Sequence, residues 1–204
     1  MATPQFVNVG ASTSIDLQSL KAVGEDASDS VFIETLDSNG FMVDTYSWID
    51  YAGDEGDQEA WVDGDYEIVT DVSFEPGQGL WIQGGSAAQA VQSAGKVSRS
   101  DLSVQLCSGF TATGNPFPTT VDLQDIIPVG DDVSDSVFIE TLDENGFMVD
   151  TYSWIDYAGD EGDQEAWVDG DYEIVTDVTF APGQGLWVQG GSNTQYLRFP
   201  APEL

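Results

Sequence analysis

The residues best suited to chemistry are acidic, and they come in two sets. Asp54-Glu55-Gly56-Asp57-Gln58-Glu59 puts four carboxylates on a short glycine-containing stretch, and Asp160-Glu161-Gly162-Asp163-Gln164-Glu165 repeats it. Carboxylates so placed suit Ca²⁺, a hard cation that takes about six to eight oxygen ligands. With Asp50 and Asp63 closing one shell, and Asp156 and Asp169 the other, the expected metal set is Asp50, Asp54, Asp57, Glu59 and Asp63 with Asp156, Asp160, Asp163, Glu165 and Asp169. The spacing is not that of a helix–loop–helix calcium site. The simpler reading is a hydrated acidic loop that confers solubility. Glu59 with Asp63, and Glu165 with Asp169, also resemble the carboxyl pairs of glycosidases, which stand about 5–9 Å apart across a cleft. Nothing in the sequence singles them out from the other acids.

The chemical kit is otherwise sparse. There is no histidine, which removes the Ser–His–Asp triad, the Cys–His pair and histidine-ligated zinc together. Cys107 has no second thiol for a disulfide or a thiolate metal site. The expectation is a protein that is not an enzyme. Aromatic residues offer the other route to a site. Trp48, Tyr51, Trp61, Tyr66 and Trp81 recur as Trp154, Tyr157, Trp167, Tyr172 and Trp187. Trp81, inside Gly-Leu-Trp-Ile, reads as core. Trp61 and Trp167, flanked by acidic stretches, read as the exposed pair, able to stack on a sugar or anchor a protein contact.

Charge narrows the partners. The 204 residues carry 37 acidic and four basic side chains, a formal net charge of −33. Such a surface repels nucleic acid, which is bound by Lys and Arg against phosphates, and anionic lipid. It attracts divalent cations or a basic partner, and its self-repulsion opposes compaction. The apolar and aromatic content is nonetheless that of a folded chain.

A duplication organises these features. Gly24–Gly85 returns as Gly130–Gly191, displaced by 106 residues, with six of 62 positions changed: Glu25/Asp131, Ala27/Val133, Ser38/Glu144, Ser73/Thr179, Glu75/Ala181 and Ile82/Val188. Each block holds 16 acids and no Lys or Arg; Lys21, Lys96, Arg99 and Arg198 all lie outside. Two units are expected, residues 1–97 and 98–204, with the seam near Lys96–Arg99 and a shortened start to the first.

Within each block the pattern is β. Val31–Leu36 and Phe41–Trp48 flank Asn39-Gly40, a strong hairpin signal, with Asn145-Gly146 in the copy. Strict alternation puts Met42, Asp44, Tyr46 and Trp48 on one side and Phe41, Val43, Thr45 and Ser47 on the other. Met42 and Met148 then read as ordinary packed positions. Asp50–Asp57 reads as a loop, Glu59–Asp63 as a short strand, and Pro76-Gly77-Gln78-Gly79 as a turn that delivers Leu80-Trp81-Ile82-Gln83. Ile15–Leu20 is too short for periodicity to decide, and its counterpart Val121–Ile127, bracketed by Pro118 and Pro128, reads as a single helical turn or a strand, the helical turn being preferred. The fold expected is all-β, two tandem antiparallel sandwich or barrel-like units with short hairpins and at most a short helical turn each.

Gly109-Phe110-Thr111-Ala112-Thr113-Gly114-Asn115-Pro116-Phe117-Pro118, followed by Tyr152-Ser153-Trp154-Ile155 and Phe180-Ala181-Pro182-Gly183-Gln184-Gly185-Leu186-Trp187-Val188, resembles a β-rich accessory module of secreted and cell-surface bacterial proteins. The resemblance spans most of the second unit; in the first, Asn8-Val9-Gly10 stands where Gly-Asn-Pro is expected. It implies a non-catalytic role and an extracellular or cell-surface location, though Met1–Gly10 has neither the basic nor the apolar region of a signal peptide. A virion or other particle also fits. The leading expectation is an acidic structural or assembly module, self-associating or binding another protein, with Ca²⁺ at the repeated loops. The alternatives are a carbohydrate-binding module using exposed Trp with Asp/Glu, and an acidic decoy for a basic protein.

Overall fold

The computed structural model describes residues 5–8, 14–28, 30–37, 39–53, 56–85, 89–94, 97–134, 136–143, 147–159, 162–192 and 194–202; for 5–8, 51–53, 56–58, 157–159 and 162–164 it describes the backbone alone. The architecture is all-β with several antiparallel sheets. The first unit runs β1 (Gln5–Asn8), β2 (Ile15–Asp16), a 3-10 turn (Leu17–Ser19), β3 (Lys21–Val23), β4 (Phe32–Leu36), β5 (Met42–Gly53), β6 (Gly56–Val62), β7 (Ser73–Phe74), β8 (Gly79–Gln83) and β9 (Ala90–Gln92). The second runs β10 (Leu102–Gln105), β11 (Phe110–Gly114), β12 (Val121–Asp122), a 3-10 turn (Leu123–Asp125), β13 (Ile127–Val129), β14 (Phe138–Leu142), β15 (Met148–Gly159), β16 (Gly162–Val168), β17 (Thr179–Phe180), β18 (Gly185–Gln189) and β19 (Tyr196–Phe199).

Each unit is built on one five-stranded sheet, ordered β1-β8-β4-β5-β6 or β11-β18-β14-β15-β16. Smaller ladders close the ends: β2 with β7 and β3 with β9 in the first unit, β12 with β17 and the trio β10-β19-β13 in the second. Among the described residues no sheet closes into a barrel, so the barrel-like alternative is set aside. In the second unit β10 pairs with β19, whereas among the described residues β9 pairs with β3 alone. The single helical turns fall where the sequence placed them, each beginning after an aspartate; Asp16 Oδ1 accepts from the Gln18 N–H at 2.8 Å.

The buried residues form two clusters with no shared member, one from Ile15 to Leu80 and one from Val104 to Phe199. In each, the inner face of the main sheet supplies Ile33, Tyr46, Trp48, Trp61 and Leu80, or Ile139, Tyr152, Trp154, Trp167 and Leu186. Trp48 meets Trp61 edge-on with ring centroids 5.2 Å apart, and Trp154 meets Trp167 at 5.3 Å. The indole N–H of Trp61 donates to Leu20 O at 2.9 Å and that of Trp167 to Ile126 O at 2.7 Å. The buried indole N–H groups of Trp48 and Trp154 have no hydrogen-bond partner among the described residues.

A glutamine pins the helical turn to the sheet. The Gln18 amide donates to Trp61 O at 2.8 Å and Val69 O at 2.6 Å while its Oε1 accepts from Trp61 N–H at 3.1 Å, standing in for a missing strand. Gln124 does the same for Trp167 and Val175. A buried polar group left without its partner costs about 1–3 kcal/mol. Gln124→Leu, close in volume, strands Trp167 N–H and Val175 O, while Trp167 O keeps its bond from Val175 N–H, and urea unfolding should show a loss of at least about 1–3 kcal/mol.

Candidate functional site

The expected metal set does not form a loop. β5 runs to Gly53 and β6 begins at Gly56, paired without a break from Ser47↔Val62 to Gly53↔Gly56, so only residues 54–55 connect them. The packed pairs Trp48↔Trp61 and Ile49↔Ala60 carry this ladder outward and draw the acids that follow into strand geometry. Asp50 and Glu59 are exposed and directly opposed, as are Asp156 and Glu165; like charges so placed repel. Asp63 Oδ1 accepts from the N–H groups of Asp65 at 2.9 Å and Glu67 at 3.0 Å, and Asp169 holds its own turn in the same way. Asp54 and Asp160 lie outside the described residues, as do the side chains of Asp57 and Asp163. Among the described residues no three His, Cys, Asp or Glu side chains are grouped to hold a metal ion.

Trp61 and Trp167, expected as the exposed pair, are both 0% exposed. Their acidic neighbours pointed outward, but the indole lies on the inner face, and its N–H finds a carbonyl from the helical-turn segment ahead of the duplicated block. Neither can be a sugar platform. The tryptophans that reach solvent are the pair read as core, Trp81 and Trp187, which are half-buried.

These two line a groove of about 530 Å³ shared by both units. On β8 and β18 the neighbours Leu80 and Leu186 point into the cores, so Trp81 and Trp187 face away. Glu34 stands directly opposite Trp81, and Glu140 opposite Trp187. Leu36, Leu142, Met42 and Met148 continue the wall. The methionines arrive there through a bulge. Glu34 pairs with Thr45 but Leu36 pairs with Met42, one residue out of step, and the second unit repeats the shift between Glu140 and Leu142. A one-residue slip moves a side chain to the other face of the sheet. Met42 is thereby turned from the core side, where strict alternation placed it, to the groove side; Thr45 Oγ1 now lies 3.2 Å from its sulfur.

The hairpin that carries Met42 is fixed by Asp37. Its Oδ1 accepts from Asn39 N–H at 2.8 Å and Phe41 N–H at 2.9 Å, and Gly40 N–H closes the turn on Asp37 O at 3.0 Å. These bonds hold the Asp37 carboxyl below the usual range. Gly40 adopts φ +80°, as the Asn-Gly pair predicted, and packs so closely on the other unit that an added Cβ would lie 2.4 Å from Trp187 Cζ2. Beyond it the tip is bare: Phe41 is 70% and Met42 56% exposed, and Phe147 and Met148 are 71% and 59% exposed. A second contact closes the seam where Thr113 Oγ1 donates to Gly77 O at 2.6 Å.

Burial in the groove raises the Glu34 and Glu140 carboxyls above the ordinary glutamate range. The described basic residues, Lys21, Arg99 and Arg198, are not among the groove's lining residues. The groove thus combines two indoles, two thioethers and two carboxylates that are short of water. Comparison with protein-family models, with curated proteins and with solved structures finds no match.

The raised values set a sign. The folded chain keeps these protons at pH values where the unfolded chain has released them, so stability falls as pH rises from the ordinary glutamate value, about 4.3, through the raised one. Glu34→Gln with Glu140→Gln should therefore raise the urea midpoint at pH 7. That gain should vanish below about pH 4. Asp65→Asn with Asp171→Asn, at exposed positions, removes the same net charge and should give a smaller gain at pH 7.

Proposed function

We propose that this chain is a non-catalytic assembly module of a surface or particle, two tandem sandwich-like units whose shared groove docks another protein segment. The observation that carries this reading is the exposed Phe-Met-Val run at each hairpin tip, one copy beside each side of the seam. Exposed apolar groups gathered in one place mark interaction sites, whereas scattered ones do not. The absence of histidine supports a binding role, as does the resemblance to accessory modules. The carbohydrate reading moves from Trp61 and Trp167 to Trp81 and Trp187, where the half-buried indoles and the paired glutamates favour it as the second choice.

A net charge of −33 keeps two copies apart at low salt, so the adhesive face is tested by screening that charge. In sedimentation velocity the full chain should gain mass in about 1 M NaCl, where the Debye length is about 3 Å. Phe41→Ser with Phe147→Ser should remove the gain. Millimolar Ca²⁺ should produce it at low ionic strength if cations bridge the acidic faces. Constant mass under every condition overturns the assembly reading.

A further inference from the structure

We infer that the occupant of the groove is a short apolar peptide segment bearing a lysine or arginine, its cationic head held between Trp81, Trp187, Glu34 and Glu140. This rests on the groove being a docking face, and it goes further by naming the chemistry that docks. The groove is open and about 530 Å³ in volume, within the range of sites that enclose a drug-sized ligand or a few side chains. It cannot take up a whole domain.

Charge complementarity selects among the candidates. Each glutamate sits directly across the ladder from a half-buried indole, so each half sets a carboxylate beside an aromatic ring, the pairing that attracts a cation. A neutral apolar segment would bury these carboxylates further with nothing to compensate them, although burial already disfavours their charged form. An acidic segment would add repulsion. A second copy of the chain would bring the same two glutamates and its own charge of −33. A guanidinium or ammonium group satisfies the carboxylates with charge-assisted hydrogen bonds and the indoles with cation–π contact. The bulge-turned Met42 and Met148, with Leu36 and Leu142, supply an adaptable apolar wall for the neighbouring side chains of the segment. Duplication lines one groove with two such half-sites, so the cationic head is met by a carboxylate and an indole from each unit.

The probes are three capped five-residue peptides: alternating leucine and arginine, the same with glutamine for arginine, and the same with glutamate. Isothermal titration against the full chain in about 50 mM salt should show the arginine peptide binding at least about tenfold more tightly than the glutamine peptide. Glu34→Gln with Glu140→Gln should abolish that preference. Asp65→Asn with Asp171→Asn, which removes as much charge from an exposed turn, should leave it. The inference is overturned if the glutamine peptide binds equally, or if both charge-matched variants lose the preference alike, which would be unspecific attraction to an acidic chain. Displacement of the arginine peptide by arginine amide at equal concentration would also overturn it, since the site would then read a free organic cation. Should screening still drive self-association through Phe41 and Phe147 while the peptides show no preference, the docking face stands and only the identity of its occupant fails.

Discussion

Each main sheet has two faces that need cover, and the chain meets that need differently on each. The inner face is covered within its own unit, by the helical turn and the short ladders around Trp61 or Trp167. The outer face, which carries Glu34, Leu36 and Trp81 or their copies, is covered in part by the other unit and in part by nothing described. A sheet buried on one side and partly wet on the other is the usual antiparallel case. Here the wet side is apolar enough to be an interaction surface, and the seam between the units depends on it.

The charge distribution follows from the same division. Most acids are exposed, on turns and on the outer stretch of the β5–β6 hairpin, where water and salt screen them. Glu34 and Glu140 are half-buried, drawn into the groove by strict alternation with the buried Ile33 and Ile139, while Asp37, Asp63 and Asp169 are half-buried where they hold their turns.

Much of the fold was legible in the residues. The Asn39-Gly40 hairpin, the single helical turns, the Pro-Gly-Gln-Gly turn before a Trp strand and the closing strand at Tyr196 all follow from local chemistry that the structure respects. The site was less so. Alternation alone puts Met42 on the core side, and the bulge that reverses it is set by pairing across strands rather than by neighbours along the chain. The run Phe41-Met42-Val43 was the available sign, because three successive apolar residues cannot all face inward. The inward turn of Trp61 is not legible from its acidic neighbours, which say nothing of Leu20 O, 41 residues away in sequence. Gln18 and Gln124 give only a faint signal for a similar reason: they lie outside the near-identical block, yet the same residue persists at both places.

The inter-strand pairing has a further consequence for how the chain reaches this state. β4 and β14 have the same sequence and the same register against their partners, so β14 laid between β5 and β8 would make the same contacts as β4 does. Packing inside a sheet therefore does not distinguish the native arrangement from one in which the units exchange strands. Tandem near-identical domains are prone to such misassembly. Discrimination falls to what differs between the described units: the partners of β9 and β19, and the order in which the first unit emerges and closes before the second is made. The unequal ends of two nearly equal units are thus an address, telling each strand which half it belongs to.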